Sequence, residues 1–323
     1  MVAMTKERRP AVARSKYPQV APNVWRIPTA ISNVYIIGVE EDGQPAGFVI
    51  IDAGMGGFAR RIAHVAAQLF GNDEKPRAIL LTHGHFDHTG SLAALLDHYG
   101  LDTPVFAHPL ELPYLNRGVH YPPGDPTVGG FMPEMSRLMY TSRPTYLPID
   151  VRAFDEHLDV LPHMPGWTIH PTPGHTPGHV AFFHEQSRTL IAGDAVITVH
   201  TDSAYDMLTQ RPSISHPPAY ATYNWHHAKQ SMKSLADLEP YYLCTGHGTP
   251  MYGEHLAANL RRYAENLRIP RYGRYVHTAA KFNRNGPTYI PPKPFDIIKA
   301  AGFLGLGLLA TGVTVALVRN TKK

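Results

Sequence analysis

Cysteine is almost missing from this chain: Cys244 is the only one in 323 residues. No intrachain disulfide can form, so an oxidising compartment is not required and a reducing cytoplasm is the default expectation. Nor is a secretory leader expected, since the opening stretch MVAMTKERRPAVARSK is basic but is followed by no apolar run and no small-residue cleavage site. Export by that route is not expected. No GxSxG elbow occurs, which removes the usual seat of a nucleophilic serine. Nothing is collagen-like or repetitive, and 43% hydrophobic with 10% aromatic residues can bury the core of one large α/β domain or two modest ones.

A net charge of +4 points to nucleic acid only until the charges are located. The first 16 residues carry +4 and residues 261–323 carry +10, which leaves 13 basic against 23 acidic residues between 17 and 260. The body is therefore acidic, with a formal charge of −10, and would repel a phosphate backbone. Nucleic acid is excluded as a partner; a small-molecule substrate is expected instead.

What is present has an ordered rhythm. Residues 24–27, 31–37 and 47–51 read as β segments, the first two around a turn at Pro28. In residues 57–70, Ile62, Val65, Ala66 and Leu69 fall on one helix face, and residues 78–81 return as a short buried strand. A helix over 91–99 and a strand over 104–107 follow. Residues 109–150 lose periodicity under eight prolines, with Met and Tyr interleaved, and read as an insertion lying over something. Strands resume at 167–170, 180–184 and 189–192. An amphipathic helix over 221–238, a strand at 241–244 and a charged helix near 255–267 complete two similar halves. The expected organisation is a basic tail over 1–19, a domain over 20–268, a basic Pro-rich linker over 269–296, an apolar helix over 297–319 and a basic tail over 320–323.

Chemistry concentrates at His83-Gly84-His85-Phe86-Asp87-His88, three imidazoles and a carboxylate in a Gly-containing loop. Zinc takes imidazole nitrogen and carboxylate oxygen, and neutral imidazole is available at pH 7. Distant partners follow predicted strands: His175 in a rigid TPGHTPGH turn, Asp194 after Gly193, and His247 between Gly246 and Gly248. These residues resemble the metallo-β-lactamase superfamily, whose hydrolases carry HxHxDH, then H, D and H at successive strand ends. The resemblance covers about residues 20–268.

It implies a four-layer αββα sandwich, with metals at one edge, and two divalent ions, zinc being expected. It implies further that His83, His85 and His175 bind one ion, that Asp87, His88 and His247 bind the other, and that Asp194 bridges them. Two such cations bring a bridging water near neutral pKa and polarise a substrate carbonyl, so hydroxide is the expected nucleophile. Asp87 is the candidate for holding it and carrying a proton to the leaving group. Asp52 has a family counterpart that supports the loop, and reads equally as a plain turn residue. His179 in the second TPGH reads either as a hydrogen-bond donor orienting the site or as a strand histidine.

A bridging Asp194 is similar to thioester hydrolases of the glyoxalase II type and to acyl-homoserine lactonases, where true zinc β-lactamases differ. The lactonase tyrosine three positions after that Asp is Ile197 here, and glyoxalase-type basic residues for a glutathione carboxylate are not recognisable. The expected reaction is hydrolysis of an ester-like bond, lactone or thioester. A mononuclear iron persulfide dioxygenase and a non-catalytic membrane-anchored binding protein are the alternatives, and a flavo-diiron protein would need Glu where His85 stands.

Two further expectations concern surroundings. Phe131, Met135, Met139 and Tyr146 are pocket candidates, with 109–150 as a lid. Residues 300–318 are 19 without a charge, bracketed by Lys299 and Arg319, which at about 1.5 Å per residue spans roughly a hydrocarbon core. A transmembrane helix is expected there, holding the domain at the cytoplasmic face of a membrane.

Overall fold

The computed structural model describes residues 17–154, 161, 163–296 and 299. Its first sheet opens as an antiparallel meander, Gln19–Ala21 (β1), Val24–Pro28 (β2), Asn33–Glu41 (β3) and Gln44–Ile51 (β4). The β2–β3 turn is closed by Thr29 N–H donating to Ser32 O at 2.8 Å, so the expected Pro28 turn sits one residue later. From β4 the sheet continues in parallel through Ile79–Leu80 (β5), Val105–Ala107 (β6) and Arg152–Ala153 (β7).

Parallel neighbours need crossovers, and helices supply them. Ala59–Phe70 (α1) links β4 to β5; Phe86–Thr89 (α2) and Leu92–Tyr99 (α3) link β5 to β6. Both long helices stop at a glycine whose φ is left-handed, Gly71 at 112° and Gly100 at 111°, a conformation that costs glycine little. Leu112–Asn116 (α4) and Phe131–Met139 (α5) fill the insertion before β7.

The second sheet contains Trp167–Pro171 (β8), Val180–His184 (β9) and Thr189–Ile191 (β10). After Ala204–Thr209 (α6) and Trp225–Asp237 (α7) come Tyr242–Cys244 (β11), Met251–Tyr252 (β12) and Leu256–Glu265 (α8). Their order is β12-β11-β10-β9-β8, and only β10 and β11 are parallel. A hairpin of Lys281–Asn283 (β13) and Gly286–Tyr289 (β14) follows.

The alternation of strand side chains builds the layers. On β3 and β4, Ile36 and Ile50 point outward with Ile62, Val65, Leu92 and Leu95, so α1 and α3 cover that face. One residue on, Ile37 and Ile51 point inward to meet Phe182, Ile191 and Cys244 of the second sheet. Phe183, Leu190 and Leu243 face out again onto Met232, Leu235 and Leu260 of α7 and α8. The result is helix, sheet, sheet, helix.

Two expectations need revision, and a third falls outside the described residues. Strand β1 starts at Gln19, inside the stretch expected to be a tail. The segment expected as a linker is packed: Tyr275 is 1% exposed and donates to Pro123 O at 2.6 Å, and Ala280 N–H donates to Tyr223 O at 3.1 Å. Proline-rich composition signals extended backbone, which docks as readily as it swings when aromatic residues such as Tyr275 and Phe282 supply apolar surface. Among the described residues no helix is long and apolar enough to cross a membrane, and the apolar run from 300 lies outside them.

Candidate metal centre

Four strand ends converge on one edge of the sandwich. His83 follows β5 of the first sheet, His175 follows β8, Asp194 follows β10 and His247 follows β11 of the second. His85 caps the short helix α2, which presents Asp87 and His88 on successive positions. Bringing Asp194 and His247 together requires Gly246, because a Cβ there would lie 1.9 Å from Asp194 Oδ1.

The donors fall into overlapping sets: His83, His85 and His175; His83, His88 and Asp194; Asp87, His88 and His247, each within 4.8 Å. His85 Nδ1 lies 3.1 Å from His83 Nε2 and 3.0 Å from His175 Nε2. A tetrahedral ion with bonds of about 2.0–2.1 Å holds its ligands about 3.3 Å apart, so this trio has the right separation for one cation. Asp194 Oδ2 lies 3.4 Å from His175 Nε2 and 3.0 Å from His247 Nε2. Asp87 Oδ2 is 3.5 Å from His247 Nε2.

Burial pushes the pKa of His83 and His175 well below the ordinary value and that of His85 down to about 3, leaving their lone pairs free at pH 7. For His88, burial acts downward but Asp194, Asp52 and Asp87 outweigh it, and the net shift is up. His247 shifts up in the same way, through Asp194 and Asp87. Burial would raise Asp194, but His247 and His88 hold it well below the carboxylate range. His88 Nε2 and Asp194 Oδ1 face each other at 3.4 Å, both buried and neither hydrogen-bonded. Orphaned buried polar atoms are costly, and a divalent cation satisfies both, so the donor set fits a metal.

An outer ring holds these side chains. Asp52 accepts Thr82 N–H and Thr82 Oγ1–H, each at 2.8 Å, and faces His88 Nδ1 at 2.8 Å, so it is more than a turn residue. His179 Nε2 accepts Asp194 N–H at 2.9 Å while its Nδ1 meets Thr172 Oγ1 at 2.7 Å. It therefore acts as acceptor towards the Asp194 backbone, with burial keeping its pKa down to about 3. The sequence reading missed Glu111: its buried carboxylate accepts Gly84 N–H at 3.0 Å, Gly178 N–H at 2.8 Å and the Tyr121 hydroxyl, tying two site loops together. It also missed Tyr223, whose hydroxyl is 3.3 Å from His85 Nε2, and Tyr220, near enough to Asp87 and Asp194 for their charges to add to the burial that raises its pKa. No local pattern marks any of the three.

Beside the centre lies a cavity of about 540 Å³ with His247 and Tyr220 in its walls. Phe131, Met135 and Met139 line it, joined by Ile31, Met207 and Leu208. Tyr146, the fourth pocket candidate, does not: it is 84% exposed and borders a separate groove over α3. Tyr140 still faces the centre, its ring 5.9 Å from that of His85, whereas residues 146–150 lead on to β7, and composition alone cannot tell which part of an insertion turns inward.

The family profile described as Metallo-beta-lactamase superfamily matches residues 27–247. The chain is 40% identical over 250 residues to the probable metallo-hydrolase YflN of Bacillus subtilis, covering 77% of this chain and 92% of that protein. It is 27% identical over 152 residues to the hydroxyacylglutathione hydrolase GloC of Haemophilus influenzae, covering 46% and 60%. The crystal structure of a beta-lactamase domain protein from Burkholderia ambifaria has a similar fold, with a TM-score of 0.50 at 20% identity over 78% of this chain and 77% of the other.

Proposed function

Since the chain belongs to the metallo-beta-lactamase superfamily, we propose that it is a hydrolase with a dinuclear zinc centre acting on an ester-like carbonyl, a lactone or thioester. The observation that supports this reading is the position of Asp194, whose Oδ2 stands 3.4 Å from His175 Nε2 of one trio and 3.0 Å from His247 Nε2 of the other. His83, His85 and His175 would hold one ion, Asp87, His88 and His247 the other, with Asp194 shared. Two such ions, when bound, activate water at neutral pH and polarise the scissile carbonyl. Asp87, 4% exposed, would take a proton from that water and return it to the leaving group. The apolar cavity would take the acyl arm, with Tyr220 on its wall. The hydroxyacylglutathione hydrolase relative supports a thioester.

Elemental analysis of the purified protein should give two zinc ions per chain, falling to one or none in Asp194→Ala with turnover lost. A panel of lactones, thioesters, phosphodiesters and β-lactams identifies the bond. One iron per chain with oxygen consumed would overturn the proposal in favour of a dioxygenase. We also propose that residues 300–318 tether the domain to the cytoplasmic face of a membrane. The uncharged length and the basic flanks support it. Cell fractionation tests it: full-length protein that washes off membranes at low salt removes the tether.

A further inference from the structure

Helix α5 carries Phe131, Met135, Leu138 and Met139 at helical spacing, an apolar stripe that borders buried Met132 and runs out to solvent at Leu138. Leu138 is 85% exposed. Across the cavity mouth, α6 offers Tyr205 and Leu208 three positions apart, Leu208 being 84% exposed while also lining the cavity. Large side chains this open to water, gathered around one cavity, mark a contact surface.

The same rim is where the chain heads for its apolar run. Arg137 of α5 pairs with Asp296 at 2.6 Å, Tyr272 Oη donates to Phe295 O at 2.6 Å, and Lys299 N–H donates to Asp296 Oδ1 at 3.0 Å. Residue 300, the first of 19 uncharged positions, is therefore one residue beyond a backbone pinned to α5. Phe295 at that point is 71% exposed; Glu134 and Asp206 stand on the two helices and Lys293 and Arg211 near their ends, so the positive charge comes from the segment 261–323, which carries +10. Exposed apolar side chains beside such a segment suit the interface of an anionic bilayer.

The geometry points to a second membrane contact: the rim formed by Leu138, Met139, Tyr205, Leu208 and Phe295 rests in the surface of an anionic phospholipid bilayer, with the cavity mouth turned to lipid. This rests on the tether proposed above, and it makes the membrane the source of the substrate. The catalytic edge is then loaded from the acyl region and not from bulk water.

Cys244 allows a direct test, because it is fully buried and burial pushes its thiol up to about 12, leaving it unreactive. Leu138→Cys and Leu208→Cys in the full chain are labelled with a polarity-sensitive thiol dye and mixed with phosphatidylcholine–phosphatidylglycerol vesicles. Leu101→Cys, 56% exposed and just ahead of β6, marks the opposite end of the parallel strands. At positions 138 and 208 the emission should shift to the blue and be quenched at least twofold by brominated lipid, with no change at 101. Vesicle-bound protein with unquenched dyes at 138 and 208 would overturn the proposal while sparing the tether. Failure to float with vesicles removes both. Dyes at 138 and 208 already shielded before lipid is added would mean that the chain covers its own rim, which also overturns it. Metal content and turnover play no part in these readings, so the hydrolase proposal stands or falls separately.

Discussion

Asp52→Asn is the sharpest test of how the outer ring governs the centre. The carboxylate is 2% exposed, and its Oδ2 lies 2.8 Å from His88 Nδ1. That contact holds a proton on Nδ1, so Nε2, 3.4 Å from the orphaned Asp194 Oδ1, is the nitrogen that would take a metal. Asparagine has the same shape, and it tolerates the left-handed φ of 61° that Asp52 adopts, so the backbone is not disturbed. With its oxygen kept by Thr82 N–H, the amide nitrogen faces His88 and favours the opposite tautomer. A hydrogen bond to a charged group contributes about 1.5–3 kcal/mol, which converts to roughly a 10- to 150-fold weaker metal affinity. A titration of the metal-free protein against a chromophoric chelator should show one site weakened by that factor and the other nearly unchanged, with the stoichiometry intact at saturation. If both affinities stay within about twofold of wild type, Asp52 does not tune the site and the reasoning fails.

Glu111→Ala leaves Gly178 N–H without an acceptor and Gly84 N–H with only the Tyr121 hydroxyl, 3.1 Å away. At about 1–3 kcal/mol for the orphaned donor, urea unfolding of the metal-free protein should show a loss of roughly 1–3 kcal/mol, and an unchanged midpoint would refute the tie between the loops. Gly246→Ala should lower metal content while far-ultraviolet circular dichroism is retained, because the added methyl collides with Asp194 Oδ1. Acid should destabilise the metal-free chain. His85 and His179 are held down to about 3 by burial, whereas the unfolded chain takes those protons near 6.5. Their stabilisation is complete above pH 6.5 and is lost as pH falls towards 3, at up to about 1.4 kcal/mol per unit for each. His83 and His175 shift the same way, against the opposite shifts of His88 and His247. A thermal midpoint that holds steady or rises between pH 7 and pH 5 would contradict this balance.

Much of this architecture can be read from local pattern. Ile62, Val65 and Ala66 mark α1 by their spacing, and the strand pairs Ile36/Ile37 and Ile50/Ile51 are apolar on both sides because both faces are covered. His83, His85, Asp87, His88, His175, Asp194 and His247 could be picked out because each stands in a short motif that ends a strand. Glu111 could not. One glutamate between leucines has no period, and its importance comes from two loops, at Gly84 and Gly178, brought to it from 27 and 67 residues away. Tyr220 and Tyr223 escaped for the same reason.

Residue types and their spacing alone determined the four longer helices α1, α3, α7 and α8, the order of the main strands and the set of donors, because those properties are settled within a few residues along the chain. Tertiary structure decided which donors share a point, that Asp52 and His179 support particular ligands, that Tyr146 turns away from the cavity, and that residues 269–296 pack down instead of swinging free. Those outcomes depend on sheet register and on contacts between distant segments, such as Asn33 Nδ2 donating to Gly248 O at 2.8 Å. No single stretch of sequence contains both partners of such a contact.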